Sequence, residues 1–335
     1  RHIPLGENRQ GGDTEKIFQA RVNVYVHFPF CRSKCTYCAL HSRAGVPPQD
    51  RKAYVEYLAK SLKSLANTAS PLESAYFGGG SPALCDLTPL ADALSPLLAR
   101  GTEFTVELHP LDATKEKLRE LQSIGVNRIS MGIQSLDDGI LRHMRRGYDF
   151  YTAERAFALV KEYFENAGID LIVGYPGETA ALTPRHARLE KWALRHCSVY
   201  SLIYEKKSIL AHLMGDSSQL PDDETVMNRI SVMSRFLKEI GLERYEISNY
   251  AVPGYECRHN IAVWRGEDYI GLGEGAHGRE GLVRTWVRTW DQPPQVERVS
   301  SQKDAIERKI FILRTKFGLD IADNRWGQSL SSILV

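Results

Sequence analysis

Near its start the chain reads Val22-Asn23-Val24-Tyr25-Val26-His27-Phe28-Pro29-Phe30-Cys31-Arg32-Ser33-Lys34-Cys35-Thr36-Tyr37-Cys38, and the rest of the sequence is organised around this stretch. Val22 to Phe28 is β-branched and aromatic, which predicts a strand. That strand delivers three thiols, at a C-x3-C-x2-C spacing, onto one tight loop. A structural zinc wants a closed set of four nitrogen or sulfur ligands, and no second CxxC or HxxxH pair occurs in the sequence to complete one. An iron–sulfur cube held by three thiolates instead leaves one iron open to a small molecule. The loop is therefore a candidate cofactor site, with zinc as the alternative.

Working outward, the strand is followed by a helix, and the pair recurs. Asp50 caps a predicted helix through Ala66, whose apolar Val55, Leu58, Leu62 and Leu65 recur at three and four. Strands are predicted at Ser74 to Phe77, Phe104 to Leu108, Arg128 to Ile133, Ile169 to Val173 and Val199 to Ile203. Between them lie helical patterns at Leu90 to Leu98, Thr114 to Ile124, two stretches before Gly168, and one ending at Leu194. Such alternation implies an α/β fold whose parallel strands are joined by right-handed crossovers. Six units make a partial (β/α)6 TIM-like barrel rather than a closed eight-unit one.

In parallel α/β sheets, sites gather at the carboxyl ends of strands. Gly78-Gly79-Gly80-Ser81-Pro82, Glu107, Gln134 and Asp170 all fall at such ends, on the side of the cysteine loop. Singly they read as a tight turn, a helix-terminal carboxylate and a capping residue. Together they indicate a ligand pocket.

Of 335 residues a quarter are charged, and the net charge is +2, which argues against electrostatic binding of nucleic acid. Arg142, Arg145 and Arg146 form a small basic run that reads as a solvated face. Cys85, Cys197 and Cys257 are scattered, so the six cysteines do not form a disulfide framework, and a reducing cytoplasm is expected. No apolar run approaches the ~20 residues of a membrane span, and the polar Arg1 to Ala20 lacks a signal-peptide core. Residues 1–20 are thus a loose extension, 21–205 the barrel, and 206–335 a smaller C-terminal domain.

The C-terminal part holds a predicted helix from Asp222 to Ile240, stopped by Gly241, and a helical pattern from Ala305 to Leu313. Ile333-Leu334-Val335 supplies no closing element, as if the domain were truncated. Gly271-Leu272-Gly273-Glu274-Gly275-Ala276-His277-Gly278 contains a GxGxxG without a following amphipathic helix, so a close backbone approach to a ligand is expected in place of a dinucleotide site. His277 reads as a hydrogen-bonded lining residue. Trp286 and Trp290 read as packing residues.

The cysteine loop, with Tyr37 before its third thiol, resembles the signature of the radical S-adenosylmethionine superfamily, and the resemblance runs from Val22 to about Phe317. The run Arg244-Tyr245-Glu246-Ile247-Ser248-Asn249-Tyr250, then Cys257-Arg258-His259-Asn260 and Gly271 to His277, is similar to the group that contains haem chaperones and oxygen-independent coproporphyrinogen III oxidases. That resemblance implies a 4Fe-4S cluster on Cys31, Cys35 and Cys38. It implies S-adenosylmethionine as a cofactor, with Tyr25, Gly79, Gly80 and Ser81 against the methionyl part and Arg146 at its carboxylate. Glu107 and Gln134 would face the ribose region, and Asp170 a ribose hydroxyl. The oxidases carry a further cysteine where this chain has Leu40, and the chaperone motif has tyrosine where this chain has Val263.

The function expected from the resemblance is that of a cytoplasmic haem chaperone, binding haem as cargo and passing it to a recipient haemoprotein. His259 stands evenly between a haem contact and a hydrogen bond across the domain junction. The alternatives are a radical enzyme acting on a tetrapyrrole, as coproporphyrinogen oxidase does, and a zinc-binding scaffold.

Overall fold

The computed structural model describes residues 22–66, 71–179 and 181–318. The extension over residues 1–20 and the closing stretch near Val335 lie outside these. The strands β1 (Val22–Phe28), β2 (Leu72–Gly79), β3 (Glu103–Leu108), β4 (Arg128–Gln134), β5 (Ala167–Val173) and β6 (His196–Ser201) appear where the apolar runs predict them. All five neighbouring pairs are parallel. The last strand begins earlier and stops before Ile203, which is 71% exposed.

The helices follow the spacing with small shifts. α1 spans Pro48–Ala66, so Asp50 lies in its first turn rather than at its cap. Proline at the first helical position has its φ preset and no N–H to satisfy, which moves the start back to Pro48. α2 (Thr88–Leu94) tightens into a 3-10 turn at Ser95–Leu97. α3 (Lys115–Ser123) is capped by Thr114, and α4 (Asp138–His143) and α5 (Phe150–Tyr163) by Asp137 and Asp149. α6 spans Pro184–Leu189 and α7 Ile209–Met214. Asp222 caps α8 (Asp223–Glu239), its side chain accepting from the Thr225 amide.

Side chains along the six strands alternate, and the alternation creates the site. Val24, Val26, Phe28, Phe77, Phe104, Val106, Ile129, Met131, Ile169 and Val199 face the helices and form the core. The intervening positions carry Tyr25, His27, Ser74, Tyr76, Glu103, Glu107, Arg128, Ser130, Asp170 and Ser198 on the opposite face. A closed eight-strand barrel fills that interior with branched apolar side chains. Here it is polar, and the sheet stays open.

The region after residue 205 adds to this sheet at both edges. β7 (Glu243–Arg244) and β8 (Asn249–Ala251) attach antiparallel beyond β6. After α9 (Arg258–Trp264), β9 (Tyr269–Leu272) pairs parallel with β1. β10 (His277–Glu280), β11 (Val283–Trp286) and β12 (Gln295–Arg298) continue antiparallel before α10 (Ser301–Ile312). The order is β12-β11-β10-β9-β1-β2-β3-β4-β5-β6-β8-β7, so β1 is an interior strand. The glycine-rich turn serves this joint. A Cβ on Gly271 would collide with the His277 carbonyl, and one on Gly273, at φ +90°, would lie 2.6 Å from the His27 carbonyl. The close approach expected there is to the chain's own backbone, where a ligand was expected. Among the described residues no helix is long and apolar enough to cross a membrane.

Candidate functional site

Pro29 ends β1, and a two-residue parallel ladder, Phe30–Cys31 with Arg43–Ala44, holds the mouth of the cysteine loop. Thr36 anchors its middle: the amide donates to the Met144 carbonyl at 3.3 Å and the hydroxyl to the His143 carbonyl at 3.0 Å. The Leu210 amide donates to the Thr36 carbonyl at 2.7 Å. Cys31, Cys35 and Cys38 are free thiols, each half-buried. Burial pushes the Cys31 thiol up. Metal loading there would therefore release a proton.

The turn after β2 packs directly under this loop. Gly80 N donates to the Phe28 carbonyl and Ser81 N to the Phe30 carbonyl, each at 2.7 Å. Gly79 N donates to Glu107 Oε2 at 2.9 Å. These amides are engaged by protein acceptors, so the turn offers a ligand close approach rather than free donors. The Ser81 hydroxyl is also engaged, donating to Asp112 at 2.5 Å, and Arg32 reaches the same carboxylate at 2.6 Å.

Arg146 is the buried cation beside the cysteine loop. It is 8% exposed, which corrects its reading as part of a solvated face. Its guanidinium donates to Cys35 Sγ at 3.2 Å, to the Tyr148 hydroxyl at 3.0 Å and to the Gly132 carbonyl. Arg142 and Arg145, from the same run, are exposed. The Tyr37 hydroxyl is a further acceptor at 3.5 Å, and a buried guanidinium held in this way is a fixed charge, suited to a carboxylate.

Glu107 and Asp170 stand in the wall at the strand ends. Register places Glu107 beside Ser130, and Gly132 beside Asp170, which neighbours Ser198. Ser130 Oγ is 3.1 Å from both Asp170 oxygens, and the Tyr76 hydroxyl donates to Glu107 at 3.0 Å. Burial raises Asp170, and burial together with the Asp170 charge lifts Glu107 to about 7. Two such carboxylates are relieved by a cation between them. Gln134 sits at a register shift in β4 with φ +75°, a left-handed backbone rare for a side chain of its size. Its amide folds over Gly132, where an added Cβ would lie 2.7 Å from Nε2.

The raised Glu107 makes a stability prediction. The folded state holds this proton more tightly than the unfolded chain, whose carboxyl titrates near 4.5. The contribution is complete below that value and is lost as pH rises through about 7. Urea midpoints should fall between pH 5 and pH 8, and Glu107→Gln should flatten the trend. Parallel curves for the two proteins would refute it.

One cavity of about 1060 Å³ collects Cys31, Cys35, Cys38, Gly79, Gly80, Ser81, Glu107, Gln134, Arg146 and Asp170. The nominated loop thiols, strand-end groups and Arg146 thus converge. Tyr25 and His259 do not join them. They line a second cavity of about 840 Å³, which shares Leu40, Tyr76, Glu107, Tyr200, Asn260 and Val263 with the first. Tyr25 donates or accepts with His27 Nδ1 at 2.9 Å. His259, 5% exposed, pairs Nδ1 with Ser74 Oγ at 2.8 Å, and burial lowers it to about 3. It is a neutral wall residue with the cross-junction bond. Tyr76, Ser130, Asp112, Tyr148 and Tyr200 were not anticipated. The first two share strand parity with Glu107 and Asp170, which is the signal that would have found them.

Among the described residues no three His, Cys, Asp or Glu side chains converge closely enough to hold one metal ion. A lone tetrahedral zinc needs that convergence. A cube spreads its thiolates over separate irons, so three half-buried thiols around one cavity, with Arg146 beside Cys35, suit it.

Residues 25–189 match the family model of the radical SAM superfamily. The chain is 34% identical over 275 residues to the heme chaperone HemW of Bacillus subtilis, covering 78% of this chain and 72% of that protein. It is 31% identical over 325 residues to the heme chaperone HemW of Lactococcus lactis, covering 90% and 84%. The solved structure of coproporphyrinogen III oxidase (HemN) from Escherichia coli, a radical SAM enzyme, aligns with a TM-score of 0.78 over 92% of this chain and 80% of its own, at 20% identity, a likeness of fold. With the strand-end cavity and cysteine loop in place, these matches make the chain a member of the radical SAM superfamily, on its HemW-like side.

Proposed function

We propose that the protein is a cytoplasmic haem chaperone: it carries a 4Fe-4S cluster on Cys31, Cys35 and Cys38, binds S-adenosylmethionine in the adjoining cavity, and delivers haem to a recipient haemoprotein. One observation carries the cofactor assignment. Arg146, donating to Cys35, stands in the same cavity as the raised carboxylates Glu107 and Asp170, so an anion-seeking and a cation-seeking group face one ligand. S-adenosylmethionine carries a carboxylate, an ammonium and a sulfonium. A bound cluster would supply an electron to the sulfonium of the S-adenosylmethionine beside it.

The chain's own residues then have separate tasks. Arg146 receives the methionyl carboxylate, and the Gly79–Gly80–Ser81 turn lets the ligand approach the loop. Glu107 and Gln134 face the ribose region, and Asp170, oriented by Ser130, accepts from a ribose hydroxyl. Residues 206–335 supply the cargo side, and kinship with proteins named as heme chaperones supports haem as that cargo. Leu40 occupies the place of the oxidases' additional cysteine and lines both cavities, which favours the chaperone over the oxidase.

Anaerobic reconstitution tests the proposal. About four iron and four sulfide per chain are expected, with stoichiometric haem uptake and transfer to an apo-haemoprotein. Zinc in place of iron, or no haem transfer, would reject it. Asp170→Ala should weaken S-adenosylmethionine binding by about 1–3 kcal/mol, the scale of leaving a polar partner unpaired. Unaltered affinity by calorimetry would count against its ribose role.

A further inference from the structure

The second cavity is walled by both parts of the chain, and its chemistry differs from that of the first. Tyr25, Tyr269 and Trp286 give it flat aromatic surfaces, and Arg288 stands on its lining. A tetrapyrrole is a broad apolar disc with carboxylates at one edge and a metal that takes a nitrogen ligand from the protein. The volume of about 840 Å³ is within the usual range for a site of this kind.

Four histidines line this cavity, and they differ in how accessible their ring nitrogens are. Both ring nitrogens of His27 are used, by the Tyr25 hydroxyl at 2.9 Å and the His41 carbonyl at 2.8 Å. His259 ties only Nδ1 to Ser74, but it is buried and hemmed in by the rings of Tyr25, Tyr76 and Tyr269. His41 Nε2 lies 3.6 Å from Glu274. His277 is exposed, and its ring makes no hydrogen bond among the described residues. It is also placed beside Trp286, which lines the cavity and is not the packing residue read from the sequence. β10 and β11 pair antiparallel with His277 directly opposite Trp286, and opposed residues project to the same face.

We propose that haem binds in this second cavity, with His277 as its iron ligand, the Trp286 indole against the macrocycle, and Arg288 pairing a propionate. The inference rests on the reading of haem as cargo. It places iron ligation on His277 rather than on His259, the residue read from sequence as a candidate haem contact, and it puts the cargo next to the cofactor across a shared wall of Tyr76, Glu107 and Tyr200.

The test uses ferric haem added anaerobically to the cluster-loaded chain, read by electron paramagnetic resonance, where the oxidised cluster is silent. His277→Ala should change the spin state of the iron and weaken haem binding by about tenfold or more, given that even outer-shell partners of a metal act on that scale. Added imidazole should restore the original signal. An unchanged signal and affinity in His277→Ala, with haem still bound by the unaltered chain, overturns the His277 assignment and leaves the chaperone reading standing. The same holds if His259→Ala changes the signal and His277→Ala does not. Failure of the unaltered chain to bind haem overturns both.

Discussion

Replacing Cys35 with alanine is expected to abolish the brown absorbance of the anaerobically reconstituted protein while leaving its far-ultraviolet dichroism nearly unchanged and its thermal midpoint near that of the unaltered chain without its cluster. The two outcomes separate because the thiol contributes little to the fold. Its sulfur is half-buried and accepts one hydrogen bond, from Arg146. Arg146 keeps its bonds to Tyr148 and Gly132, so the loss is about 1 kcal/mol. The loop stays anchored through Thr36, whose hydroxyl also meets the Tyr175 hydroxyl at 2.9 Å. A cluster with one of three thiolates missing has no neighbouring replacement, since Cys85, Cys197 and Cys257 are buried elsewhere. An unchanged visible spectrum would remove the cluster assignment.

Gly80→Ala should act the other way, through the fold. A Cβ there would collide with the Phe30 carbonyl and lie 2.8 Å from the Phe28 carbonyl. Both are main-chain atoms, clamped by the Gly80 and Ser81 amides, and neither can swing aside as a side chain would. The turn must be pushed away from the loop that begins at Cys31. We expect a loss of about 1–3 kcal/mol or more, with cluster loading reduced in proportion to the displacement. Full iron content at an unaltered melting temperature would show that the close approach is dispensable.

Much of this site is legible in the amino-acid sequence. The thiol spacing and the strand ends nominate Glu107, Gln134 and Asp170, because chain direction in a parallel sheet carries every strand's carboxyl end to one side. Helix positions follow from apolar periodicity, with an error at α1 where Pro48 outcompetes Asp50 as the start. Burial is harder to read. Arg146 looks like its exposed neighbours Arg142 and Arg145 in sequence, and only the folded loop brings Cys35, Tyr148 and Gly132 around it.

By itself the sequence determined the α/β class, the cysteine loop and the set of polar groups at its mouth, since these depend on local spacing and on chain direction. Tertiary structure alone decided that β9 to β12 join the sheet beside β1, that Gly271 and Gly273 serve that joint, and that Tyr25 and His259 face a second cavity. Strand partnership between segments some 245 residues apart leaves no periodic trace in either segment. It is settled by which edge offers unpaired backbone groups and a matching apolar face when the chain closes.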